Sequence, residues 1–105
     1  MTLSWLKGSE MTVRDQAVND RNDRIFSRLK KMGIFSVSSL LDRMRDAGLT
    51  DSEQQAMHLM LGLGGDVPMT LKETGARMGG RTPERVRQIN LKALRKLKRL
   101  NGTAK

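Results

Sequence analysis

The sequence contains no cysteine, which excludes disulfides, thiolate metal sites and cysteine nucleophiles. Aromatic residues make up only 3%, with no tyrosine, and hydrophobic residues 37%, so any core is small and part of the chain is expected to be poorly ordered. No run approaches the ~20 apolar residues that a membrane-spanning helix requires. The opening MTLSWLKGSE has no apolar stretch of the secretory-signal kind. With the missing cysteines, this points to the cytoplasm and to no membrane partner. Acids do not cluster as a catalytic pair, and the single histidine, His58, has no second ligand near it in sequence. Gly62, Gly64 and Gly65 resemble a phosphate loop only in composition, because no Gly-Lys-Ser/Thr follows them. No enzyme, no cofactor, no metal and no small-molecule substrate is therefore expected.

What is abundant is positive charge. Of 105 residues, 20 are Lys or Arg and 11 Asp or Glu, a formal net charge of +9. The excess is uneven. Residues 1–53 carry nine basic and eight acidic side chains, whereas residues 54–105 carry eleven and three. A second half of that kind suits a polyanion: DNA, RNA or an acidic protein face.

Hydrophobic spacing and capping residues predict helices and no strand-like alternation. Thr12 and Asp15 open a helix over residues 12–32, with Val18, Ile25, Leu29 and Met32 as an apolar stripe interrupted by the polar run of residues 19–24. Gly33 ends it, and Ser36 caps a short helix carrying Val37, Leu40, Leu41 and Met44. This stretch reads as a helix–Gly–helix packing unit. Thr50 and Glu53 form a capping box ahead of a largely apolar helix, and Thr70 and Glu73 form another ahead of a helix of about two turns. Thr82-Pro83-Glu84 starts the last helix: a capping Thr, Pro at the first helical position and a carboxylate in the first turn. The fold class is all-α. Residues 1–48 read as an N-terminal helical or partly disordered segment, with Trp5 and Leu6 as a local anchor. Residues 49–100 read as the main domain and 101–105 as a flexible tail.

The last helix divides sharply by side. At ~100° per residue, Ile89, Ala93, Leu97 and Leu100 fall within about 60° of Val86, with Leu94 at the edge. The opposite side carries Glu84, Gln88, Arg95 and Arg99, flanked by Arg85 and Lys92 on one hand and Arg87 and Lys98 on the other. A helix that only binds phosphates has no use for a carboxylate amid its cations. A base-reading helix does, since Glu accepts from cytosine N4 and Gln pairs with adenine N6 and N7. Two helices joined by a Gly-containing turn, the second with polar residues near its start, is the helix-turn-helix plan.

The runs Leu49-Thr50-Asp51-Ser52-Glu53, Gly62 to Glu73, Glu84-Arg85-Val86-Arg87-Gln88-Ile89 and Lys92-Ala93-Leu94-Arg95-Lys96-Leu97 resemble region 4 of bacterial sigma-70-type factors, over about residues 49–100. The resemblance implies a last helix that reads the −35 element of double-stranded promoter DNA, and docking on the β-subunit flap of bacterial RNA polymerase or on a sigma-like partner. It implies base reading by Glu84 and Gln88 and backbone contacts by Arg87, Thr70 and Leu71. Arg85 joins the DNA-facing set, as do Arg81 and Thr82 from the turn, and Lys92 and Arg95 match positions that face DNA or activator proteins. Ala56, Met57, Met60 and Leu61 resemble part of the surface or core that engages polymerase. Leu91, about 140° from Val86 and off the apolar stripe, is read as a partner or thymine-methyl contact.

Three departures bear on that reading. Pro83 stands where the family usually has Arg, the turn of residues 78–82 is one residue longer, and His58 and Met60 replace two Arg. The chain is also too short to hold the regions that melt promoter DNA. It therefore reads as a stand-alone regulator of the kind a phage or prophage would encode. The alternative is a protein-binding mimic of region 4, of antitermination or anti-sigma type, with little sequence reading.

Overall fold

Each helix begins where a Ser or Thr oxygen accepts from a backbone N–H three residues on, relieving one of the four donors that a helix start leaves unpaired. In the computed structural model, which describes residues 12–103, α1 spans Val13–Lys31, α2 Val37–Asp46, α3 Asp51–Leu61, α4 Leu71–Arg77 and α5 Pro83–Thr103. Thr12, Thr50 and Thr70 form complete capping boxes with Asp15, Glu53 and Glu73. Ser36 accepts from the Ser39 N–H at 3.1 Å and Thr82 from the Arg85 N–H at 3.2 Å. Such caps are worth about 1 kcal/mol each. No strand occurs among the described residues. The anchor read at Trp5 and Leu6 lies outside them. Helix α5 continues to Thr103, so it enters the stretch read as a tail.

Helix α5 is the axis on which the rest assembles: α2, α3 and α4 all lie against it, and α3 lies against α4. Its apolar side, Val86, Ile89, Ala93, Leu94 and Leu97, is buried as its spacing predicts. Ala56, Met57, Met60 and Leu61 of α3 meet it, and Leu40 and Met44 of α2 complete the same cluster. Ile25, Phe26 and Leu29 bring α1 into that cluster, which therefore draws on residues either side of position 48.

The polar run within α1 also has a structural use. The last carbonyls of a helix have no partner within it. In α3 the Met60 carbonyl accepts from Arg21 Nη2 at 2.7 Å and from Asn22 Nδ2 at 3.1 Å. The Asn22 amide oxygen accepts in turn from Arg21. Side chains of one helix thus finish the end of another. Burial lowers the Arg21 guanidinium to about 10, which leaves it charged at neutral pH.

At the other end of α1, Arg14 grips the start of α4. It donates to Glu73 through Nε at 2.9 Å and Nη2 at 2.5 Å, and to the Pro68 carbonyl at 3.1 Å. These bonds, and the Thr70 N–H, hold the Glu73 carboxyl down at about 2. A depressed folded value means that the contribution is present above the ordinary value of 4.5 and is lost as pH falls towards 2. The pair is partly exposed, so its worth stays below about 1 kcal/mol. Urea titrations of wild type and Glu73→Gln are expected to differ by that much at pH 6 and to converge by pH 2. A constant gap would show that Glu73 acts through packing.

The turn between α4 and α5 depends on Gly75. Its carbonyl accepts from the Gly80 N–H at 3.0 Å and the Arg81 N–H at 2.9 Å. A Cβ there would collide with the Arg81 carbonyl oxygen, so the turn folds back on α4 only because the side chain is missing.

Candidate nucleic-acid interface

The side of α5 that does not meet the core is left outward over residues 84–99. Glu84, Arg85, Arg87, Gln88, Lys92 and Arg95 are all exposed. Glu84 and Gln88 sit one turn apart on this ridge, as their spacing requires.

Glu84 does not stand alone on it. Arg87 closes a two-bond fork on its carboxylate, Nε at 2.9 Å and Nη2 at 2.5 Å. The fork holds the Glu84 carboxyl below the usual carboxylate range and raises Arg87 further. Both side chains are more than half exposed, so the fork can open to an incoming group at small cost.

One flank of the ridge is a groove lined by Arg81, Arg85, Gln88 and Lys92 of the turn and α5, and by Thr50 and Ser52 at the start of α3. Arg81 lies here because the long turn folds back, and its Nη2 reaches Ser52 Oγ at 3.4 Å. Ser52 belongs to this flank and carried no local signal, since its place depends on how α3 lies across α5.

The remaining residues singled out in the sequence fall elsewhere. Thr82 is exposed, with its hydroxyl capping α5. Thr70 is half-buried and its hydroxyl caps α4. Leu71 is half-buried against the edge of the core. Leu91 is half-buried on the side of α5 that faces α1. Ala56, Met57, Met60 and Leu61 are core residues with no more than 6% exposure, so their side chains offer no docking surface in this arrangement. Lys96, from the basic end of α5, does not face solvent with its neighbours. Its Nζ donates to the buried carboxylate of Glu53 at 2.7 Å.

Among the described residues no group of His, Cys, Asp or Glu could hold a metal ion, and no helix is long and apolar enough to cross a membrane.

Comparison with known proteins gives a consistent picture. The chain is 50% identical over 50 residues to the RNA polymerase sigma factor SigA of Listeria monocytogenes, and equally to that of Listeria innocua. Each alignment covers 48% of this chain and 13% of the sigma factor, so the chain matches only a small part of these relatives. No solved structure matches it. The family described as Sigma-70, region 4 matches residues 47–99, which takes in α3, α4, the Gly75-supported turn and nearly all of α5. On that match and that helix arrangement, the chain belongs to the sigma-70 region 4 family.

Proposed function

We propose that this protein is a transcription regulator that reads −35-like promoter DNA with α5 and works on bacterial RNA polymerase. The exposed ridge of Glu84 and Gln88, bordered by Arg81, Arg85, Lys92 and Arg95, carries the reading. Gln88 offers a paired donor and acceptor to adenine, and Glu84 an acceptor to cytosine N4. The cations beside them hold phosphates and set register. The relatives' printed name, RNA polymerase sigma factor, supports polymerase as the assembly on which this happens. Leu91 and its surroundings are the part of α5 offered to a protein partner, since Ala56, Met57, Met60 and Leu61 of α3 are buried.

The test separates reading from attraction. Gln88→Ala is expected to lower affinity for a −35-like duplex by about 1–3 kcal/mol while leaving random DNA nearly unchanged. Glu84→Ala should act differently. By releasing Arg87 it is expected to strengthen binding to random DNA and weaken discrimination. Anisotropy titrations of both variants against both duplexes decide this, and equal binding of the two duplexes by wild type would end the base-reading claim.

A second reading, a polymerase-binding mimic with little sequence preference, is favoured by Pro83 and by the burial of Met60, each at a position where the family usually has Arg. Binding to purified polymerase without any discrimination between the two duplexes would select it.

A further inference from the structure

Helices α1 and α5 leave between them a groove of about 470 Å³. Its apolar lining comes from Ile25 of α1, Met60 of α3, Leu71 of α4 and Leu91 and Leu94 of α5. Its charged lining is of one sign: Arg24 and Arg28 of α1, Arg87 of α5 and the half-buried Arg21. No acidic residue lines it. Arg24 and Arg28 are exposed and have no ion-pair partner among the described residues. Asn90 also lines the groove, is only 7% exposed, and its Oδ1 has no hydrogen-bond partner. An unsatisfied buried amide oxygen is costly unless something donates to it.

We propose that this groove is a docking site for an acidic, amphipathic segment of a partner protein. The segment sets a large apolar side chain on Leu91 and Leu94, brings carboxylates to Arg24 and Arg28, and donates a hydrogen bond to Asn90 Oδ1.

The chemistry favours a peptide over a nucleic-acid backbone. A phosphodiester brings only acceptors, so it cannot satisfy Asn90 Oδ1, and it has no use for an apolar floor. A peptide supplies apolar side chains, carboxylates and N–H or hydroxyl donors together. A donor placed at the floor meets the Asn90 oxygen after rotation about χ2, a soft torsion. The site requires α1, which lies outside residues 47–99 that match the family, so it belongs to this chain's own combination of elements. It does not depend on base reading by Gln88, which lies on the opposite flank of α5.

The full chain, labelled with nitrogen-15, is titrated with a synthetic 15-residue helical peptide carrying Leu and Glu at i, i+4 spacing. The same peptide with Gln for Glu, and a random DNA duplex, serve as separate arms. The acidic peptide is expected to shift the Asn90 side-chain amide and the Leu91 backbone signal, with the Gln peptide binding at least tenfold more weakly. Arg24→Ala with Arg28→Ala should weaken the acidic peptide at least tenfold. Arg45→Ala with Arg77→Ala, on cations that do not line the groove, should change it less than twofold. Melting curves confirm that both double variants fold. Equal losses in the two double variants would mean general attraction and overturn the proposal. So would peptide binding that leaves Asn90 and Leu91 unmoved, or a duplex that shifts these two signals more than the peptide does.

Discussion

Replacing Lys96 with Met is expected to destabilise the fold by about 3 kcal/mol at pH 7, a large part of the ~5–15 kcal/mol that holds a typical domain together. The reason is Glu53. It is 3% exposed, and its Oε1 accepts from Lys96 Nζ at 2.7 Å and from the Thr50 N–H at 2.8 Å. Burial is the strongest influence on this carboxyl and pushes it up. Lys96 and the Thr50 cap together outweigh it and hold the group below its ordinary 4.5. Without Lys96 the effect of burial dominates, and an ionised group sits in the core with only the Thr50 cap as its partner. The sign with pH follows. In wild type the stabilisation is present above 4.5 and fades below it. In the variant the folded carboxyl titrates higher, so lowering the pH protonates it and relieves the penalty. The gap between the two proteins should therefore narrow as pH falls from neutral to below 4.5. Adding Glu53→Gln to Lys96→Met should recover much of the loss, while the exposed Lys98→Met should stay within about 0.5 kcal/mol of wild type. Urea denaturation across that pH range measures all of these. A pH-independent gap below 1 kcal/mol would show that Glu53 is not held as described.

Salt should have an effect of several hundredfold on DNA binding. Arg81, Arg85, Lys92 and Arg95 are four exposed cations beside the reading ridge, and Arg87 is a fifth that the Glu84 fork engages. Each phosphate neutralised adds about −0.9 to the slope of log affinity against log salt. On random DNA, where nothing draws Glu84 away, the expected slope is about −3.6. On a −35-like duplex, where Glu84 turns to a base and Arg87 to a phosphate, it steepens to about −4.5, or about 500-fold between 50 and 200 mM salt. Arg81→Ala should lower either slope by about 0.9. Identical slopes on the two duplexes would show that the fork takes no part in recognition.

The helix starts were legible because capping is local. Thr12, Ser36, Thr50, Thr70 and Thr82 each act within three residues, so spacing alone finds them. The inward side of α5 was legible for the same reason: five of its apolar residues recur at helical period and all five are buried. The tertiary polar pairs were not. Arg14 meets Glu73 across 59 positions, Lys96 meets Glu53 across 43 and Arg21 meets the Met60 carbonyl across 39. Nothing local distinguishes these cations from their solvated neighbours. For that reason the sequence assigned Lys96 no partner, and the polar run in α1 read as an interruption of its stripe. Leu71 is different again: its backbone contact is what the resemblance implies, and its half-buried place against the core edge follows from how α4 packs. In the candidate site, Glu84 and Gln88 were legible as a ridge, but the Arg87 fork, Ser52 and the groove beside α1 required the packing of helices on one another.

The fork between Glu84 and Arg87 also changes what the protein presents at a distance. A bare carboxylate at the tip of the ridge would repel any polyanion at the point of first contact. Paired with a guanidinium at 2.5 Å, it becomes a dipole, whose field decays faster with distance than that of a single charge. Beyond a few ångströms an approaching polyanion therefore meets chiefly the surrounding cations, and the acid acts only at contact range, when the partner is already in register. Attraction and discrimination are in this way separated by range on a single turn of helix.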